Sequence, residues 1–300
     1  MVTVLALGAA LLYGSADFLG GSATRRAHVL SVLLVSGPAG MVLATLAALL
    51  AGGPPRAAGV AWGACAGLAG GVGFIFFYQG LAAGPMSVVA PVSALVSTVL
   101  PVAVALTEGE RPGARVYVGA LTCVVAIVLV STDGGGPGSQ APAAGADPGG
   151  PAIRRTRARH GTAISGIGYG VAAGLAFGTF FLFIRNGGES GALWPVAVAR
   201  LAGTLVFLVA AAGIRARPAS WRGDRRLLLA ALGAGVLDCG ANICYAFATR
   251  AGLFGLAVVL TSLYPGITVL LARIVFGERM RWARRAGLAL AAAGILLVTV

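Results

Sequence analysis

About ten apolar runs, each close to 20 residues long, follow one another along this chain, broken by short stretches rich in arginine, glycine and proline. They cover approximately residues 2–22, 29–51, 58–80, 85–106, 114–132, 161–185, 191–214, 227–249, 252–275 and 283–300. A helix of about 20 apolar residues is what crossing the hydrocarbon core of a bilayer requires. Lipid offers the backbone no hydrogen-bond partner, so each run is expected to be helical. Charged residues make up 10% of the chain, against about 25% in soluble domains, and the mean hydropathy is +0.92. A water-soluble domain is excluded. The expected fold class is an all-α membrane protein with ten transmembrane helices, multi-pass in the cell membrane and solvated by its lipids.

The net charge of +13 would suggest nucleic-acid binding in a soluble protein, but all 22 basic residues are arginines and nearly all fall between the apolar runs. That is the pattern of loop anchors facing an anionic leaflet, so no nucleic-acid partner is expected. Cys65, Cys123, Cys239 and Cys244 lie inside apolar runs without CxxC spacing and read as packing residues rather than a metal site or disulfides. The first run lacks a basic flank and is too long for a cleavable signal.

Residues 133–160 form the one long polar stretch, rich in Gly, Pro and Ala and closing on Arg154, Arg155, Arg157, Arg159 and His160. Its composition predicts a flexible linker between residues 1–132 and 161–300. The two flanking segments repeat. A shift of 168 positions carries Gly109-Glu110-Arg111 onto Gly277-Glu278-Arg279, Gly67 onto Gly235, Ile75 onto Ile243 and Leu95 onto Leu263. The tripeptide matters most, because the chain holds only four glutamates. With five spans per copy, the second copy must enter the membrane in the opposite sense. The expectation is therefore two inverted five-helix repeats, an arrangement found in secondary transporters with the substrate site at the repeat interface.

These features resemble the drug/metabolite transporter superfamily, in particular its EamA-type members. Each half opens on an aromatic-Gly-hydroxyl step, Tyr13-Gly14-Ser15 and Phe177-Gly178-Thr179. The passage from third to fourth span reads Tyr78-Gln79-Gly80-Leu81-Ala82-Ala83-Gly84-Pro85, answered by Ala246-Phe247-Ala248-Thr249-Arg250-Ala251-Gly252. Ser93-Ala94-Leu95 and Ser262-Leu263-Tyr264-Pro265 then each lead to Gly-Glu-Arg. The likeness covers nearly the whole chain apart from the linker. It implies ten helices, a central cavity and alternating access without ATP hydrolysis. Pro265 has no counterpart at Ser97, whereas Pro91 and Pro101 mark the first-half fourth span, so helix bending is expected to differ between halves. The loops after spans one, five, seven and nine hold fifteen arginines and the alternate loops five. The positive-inside rule then puts both termini outside, whereas the resemblance implies termini inside.

Ionisable residues within spans are functional candidates, because charge is costly in the bilayer. Two acids qualify, Asp17 and Asp238. Asp17 follows Tyr13 by four residues on one helical face, and Asp238, Asn242 and Tyr245 form a second polar stripe. Asp238 reads either as a substrate or proton site or as the structural partner of Arg200, and Arg200 either as a reader of a substrate carboxylate or as a counter-ion. Tyr13, Tyr78, Phe177 and Tyr264 read as cavity lining or as packing. Glu110 and Glu278 read as caps or bridges at helix junctions, with gating as the alternative. Trp62, Trp194, Trp221 and Trp282 fall near span ends, as interfacial belts require.

Catalytic constellations are missing from the sequence. There is no HExxH, no lysine for a phosphate loop, no histidine within an expected span, no Mg²⁺-binding acid cluster and no GxSxG. No enzyme activity, cofactor or metal is expected. The leading reading is a secondary active transporter, an exporter of a small organic metabolite or drug-like solute, with protons as the coupling ion that Asp17 or Asp238 would carry. The alternatives are a flippase for a lipid or lipid-linked carrier, and a non-transporting scaffold.

Overall fold

The computed structural model describes residues 1–24, 27, 29–83, 86–111, 113–132, 152–188, 191–213, 224–276 and 282–299. Among them, regular structure is helical throughout: α1 (Val2–Thr24), α2 (Val29–Ala51), α3 (Ala57–Ala83), α4 (Met86–Thr107), α5 (Ala114–Thr132), α6 (Ala152–Gly188), α7 (Leu193–Gly213), α8 (Arg225–Ala248), α9 (Phe254–Thr261), α10 (Tyr264–Phe276) and α11 (Trp282–Thr299). Six helices are long and apolar enough to cross a membrane: α1, α2, residues 57–77 of α3, residues 166–188 of α6, α7 and α8. Shorter apolar stretches occupy α4, α5, α9 with α10, and α11.

Two differences from the sequence expectation have physical causes. The ninth expected span is broken at Ser262–Leu263 into α9 and α10. Pro265, two residues on, has no N–H to give back to Thr261, and its ring opposes a continuous helix there. The break is satisfied locally, with the Ser262 hydroxyl donating to the Val258 carbonyl (2.8 Å) and the Gly266 N–H to the Leu263 carbonyl (3.0 Å). Its first-half counterpart α4 runs through Pro91 and Pro101 unbroken, so bending differs between the halves. Secondly, α6 begins at Ala152. The arginine-bearing end of the expected linker, including His160, is thus helical rather than flexible loop; residues 133–151 lie outside the described residues.

The interior inverts the logic of a soluble core. Ala6, Ala9, Ala66, Ala231, Ala241 and Ala257 are buried, while Leu50, Val209, Ile274 and Leu296 are exposed. Large aliphatics gain nothing by leaving lipid, so small residues line the contacts and let backbones close up. The α2–α8 contact shows the limit of this approach, since a Cβ on Gly235 would run into the Ser36 carbonyl. Gly67 makes the equivalent approach between α3 and α7, against the Ala199 carbonyl. Beyond these, α1 packs on α8, α9 and α10, α3 and α4 on α6, α2 on α7, and α5 on α11.

Several contacts gather the N-terminus and the arginine-poor loops at one end of the bundle. Val2 lies against Gly252, and the Trp194 indole donates to the Gly53 carbonyl at 3.0 Å. Arg185 pairs with Glu108, and its guanidinium stacks 4.3 Å above the Phe254 ring. Glu110 accepts from the backbone N–H groups of Phe254 (2.7 Å) and Gly255 (3.0 Å). The N-cap residue Leu253 provides no side-chain bond of its own, so Glu110 serves as the cap of α9. Its repeat counterpart Glu278 lies outside the described residues.

Candidate intramembrane binding site

Tyr13 and Asp17 stand one turn apart on α1, Arg200 on α7, and Asp238, Asn242 and Tyr245 on successive turns of α8. Helix α1 is drawn against α10 by Gly14, where a Cβ would stand 2.6 Å from the Tyr264 carbonyl oxygen and 2.5 Å from Cβ of Ile267. The Gly14 carbonyl accepts from the Thr268 hydroxyl at 3.1 Å. This close approach sets the Tyr13 and Tyr264 rings 6.0 Å apart between centroids. On the other side Tyr13 meets Phe181 of α6 edge-on at 6.4 Å, and Phe181 lies 4.7 Å from Tyr245.

Arg200 and Asp238 form an ion pair between α7 and α8, with side chains 17% and 28% exposed. Pairing answers the cost of holding either charge at this depth. The Tyr245 side chain is fully buried, and its hydroxyl donates to the Phe181 carbonyl at 3.2 Å, tying α8 to α6. Asn242, 2% exposed, donates its amide nitrogen to the Asp238 carbonyl at 2.7 Å. That bond fixes the amide's orientation and leaves Oδ1 as an acceptor. Asn242 Oδ1 and the Tyr13 hydroxyl are buried polar atoms without a hydrogen-bond partner among the described residues. The charged groups interacting with that hydroxyl are Asp238 and Arg200.

Asp17 is exposed and lies within electrostatic range of Asp238 and Tyr264. It has no ion-pair partner among the described residues. The structure therefore brings together Tyr13, Asp17, Arg200, Asp238, Asn242, Tyr245 and Tyr264. Tyr78 sits on α3, and its side chain lies outside the described ones. Residues that sequence reasoning did not single out are Phe181 and the Glu108–Arg185 pair. Phe181 carried a signal, since it follows Phe177 by one helical turn on the same face of α6. Phe177 itself packs away from the polar cluster, against Phe74 (5.1 Å) and Phe77 (6.3 Å).

Chemically, among the described residues the cluster offers one unpaired carboxylate, a neutralised ion pair, two unanswered polar atoms and an aromatic wall. Such a mixture of apolar lining and few convergent polar groups is the usual make-up of a small-molecule site. Among the described residues no group of histidine, cysteine and acidic side chains could hold a metal ion.

No curated protein matches the chain at a significant level. A solved crystal structure aligns with all of it, 100% of this chain and 98% of its own, at a TM-score of 0.75 and 19% identity, which speaks to the fold alone. The sequence model of the EamA-like transporter family matches residues 1–132 and 164–300, on both sides of the central segment. With matches over most of its length and an all-helical fold of apolar spans, this membrane protein belongs to the EamA-like transporter family.

Proposed function

We propose that the protein is a secondary active transporter that exports a small organic solute by alternating access between two inverted five-helix repeats, with a proton carried by Asp17 as the coupling ion. One observation carries the reading. Tyr13 Oη and Asn242 Oδ1 stand buried and unpartnered beside the Arg200–Asp238 pair. Orphaned buried polar atoms are rare because each costs about 1–3 kcal/mol, so a cluster of them implies a ligand that answers them.

The repeat arrangement draws support from reciprocal packing. The first helix of one half meets the third of the other in both α1–α8 and α6–α3. Likewise α2–α8 mirrors α7–α3, and α4–α6 mirrors the contacts of α1 with α9 and α10. Gly67 and Gly235, superposed by the 168-residue shift, each face a carbonyl on the second helix of the opposite half. Alternating access draws support from the ties at one end of the bundle. Ties through Glu108, Glu110, Arg185 and Trp194 gather the arginine-poor end, whereas Asp17, seven residues from the far end of α1, is exposed. A lateral lipid route is less well supported, because the groove between α3 and α7, lined by Ala64, Leu68, Ile75 and Val206, offers no polar group to a headgroup.

Asp17 is preferred over Asp238 as the proton carrier, since protonating Asp238 would strand the Arg200 charge. In proteoliposomes, Asp17→Asn is expected to abolish solute accumulation driven by a pH gradient while counterflow exchange persists. Gradient-driven accumulation at the wild-type rate in that variant refutes Asp17 as the carrier, as does loss of counterflow exchange at saturating solute with normal folding.

A further inference from the structure

We infer that the solute is a protonated amine joined to an apolar, ring-bearing body. This rests on the transporter reading and names its substrate class. The first argument is charge. Arg200 and Asp238 cancel each other, and Asp17 has no ion-pair partner among the described residues. The site therefore carries a net negative charge when Asp17 is ionised, and Arg200 is already engaged by a carboxylate of the protein. A solute carboxylate would have to displace Asp238, whereas a cation meets Asp17 directly.

The second argument is hydrogen-bond polarity, independent of charge. Asn242 is 2% exposed, and its nitrogen is committed to the Asp238 carbonyl, so the unanswered atom Oδ1 can only accept. The Tyr13 hydroxyl, also without a partner among the described residues, can do either. A ligand that satisfies Asn242 must present an N–H or O–H. Of the groups that also carry positive charge, a protonated amine has N–H bonds to give, and a quaternary ammonium has none.

The third argument concerns the rest of the ligand. Tyr13, Tyr264 and Phe181 form a wall with ring centroids 6.0 Å and 6.4 Å from the Tyr13 ring. Such faces attract cations electrostatically and accept flat apolar bodies. One turn away on α6 the wall continues as Phe177 against Phe74, which in turn meets Phe207 at 5.8 Å. The sequence register makes this contrast specific. The shift of 168 carries Gly70, Phe74 and Phe77 onto Asp238, Asn242 and Tyr245, and a shift of 164 carries Tyr13 and Asp17 onto Phe177 and Phe181. One interface is polar and acidic, and its counterpart is Gly70 and four phenylalanines, a division that matches a head and a body.

The test compares three probes that share a phenylethyl body on the purified wild-type protein in detergent: 2-phenylethylammonium, 2-phenylethanol and 3-phenylpropanoate. Ligand binding to the folded state raises the melting temperature by mass action. The amine is expected to raise it with a half-saturating concentration at least about tenfold lower than the alcohol or the acid. Asp17→Asn is expected to weaken the amine by about tenfold or more while leaving the alcohol unchanged, and Asn242→Leu to weaken the amine and the alcohol alike. Equal shifts with amine and alcohol, tighter binding of the acid, or no shift with the amine would each overturn the inference. Because this comparison needs no variant, it survives any folding defect. Transport is scored separately in proteoliposomes loaded with the same probes. Amine binding without flux removes the transporter reading and leaves the site, whereas flux of the acid but not the amine removes the site assignment and leaves the transporter.

Discussion

Replacing Glu110 by glutamine should loosen one end of the bundle without unfolding the protein. Glu110 reaches from the loop after α4 to the start of α9, accepting from Phe254 N–H at 2.7 Å and Gly255 N–H at 3.0 Å. Glutamine keeps the shape, but one of the two oxygens becomes an amide nitrogen facing a backbone donor. Hydrogen bonds to charged groups contribute about 1.5–3 kcal/mol each, and partial exposure screens the charge. Losing one bond and the charge near the α9 N-terminus should then cost about 2 kcal/mol. If these bonds form only while the arginine-poor end is closed, the full amount falls on the conformational equilibrium, a shift of roughly 30-fold toward the state open at that end. Spin labels at the exposed positions Arg111 and Ala251, in a cysteine-free background in nanodiscs, report the separation of the two elements. The expected result is a second, longer distance population in Glu110→Gln that is minor in the parent. An unchanged distance distribution with a lowered melting temperature would show that Glu110 caps α9 in every conformation, and the closure argument would fail.

The remaining predictions test packing and charge. Gly67→Val and Gly235→Val should each destabilise the protein by about 3 kcal/mol, because the added atoms meet the Ala199 and Ser36 carbonyls, which cannot rotate away. Gly8→Ala, with nothing within 4 Å of its Cβ, should be close to neutral; thermal unfolding followed by tryptophan fluorescence checks all three, and a loss at only one of the two packed glycines would count against reciprocal packing. Arg200→Met or Asp238→Asn alone should cost roughly 3 kcal/mol by leaving a charge unpaired at depth, whereas the double substitution should recover most of the loss. A double variant as unstable as the sum of the singles would mean that the two side chains act on different partners.

Which parts of this architecture were legible beforehand follows from how membranes constrain sequence. Spans were readable because lipid forces about 20 apolar residues into each, and the break between α9 and α10 was signalled by Pro265. The start of α6 was not. Arg154 to His160 read as linker because polar composition predicts exposure, yet a polar segment continuous with a span can remain helical. The polar cluster was half legible. Spacing put Asp238, Asn242 and Tyr245 on one stripe, but no local rule says that the Tyr245 hydroxyl reaches the Phe181 carbonyl or that Asn242 ends with a spare oxygen. Glu110 was recognisable as a cap or bridge from its place in a recurring tripeptide. Its target, the start of α9 some 144 residues away, is a property of the packed bundle.

The contrast between skeleton and lining explains how one chain could reconcile two demands. Alternating access needs two states of similar energy, and a structure whose halves make equivalent contacts supplies them, since exchanging the roles of the halves costs little. The contacts that recur between halves are those of small residues: Gly67 against Ala199, Gly235 against Ser36, Gly14 against α10, and Gly178 against Leu100 and Pro101 of α4. Binding needs the opposite, because a symmetric lining would offer a solute two equivalent poses. The side chains facing inward break the equivalence, with Asp238 and Asn242 where the first half has Gly70 and Phe74, and Asp17 where the second has Phe181. Substitutions that restore symmetry to the lining should therefore damage selectivity before they damage folding. Asp17→Phe, which copies the second-half residue, should retain most of its thermal stability yet lose discrimination between charged and neutral solutes of one shape in the same binding assay. Retained discrimination in that variant would show that the polar interface does not select, and the division of labour between skeleton and lining would have to be abandoned.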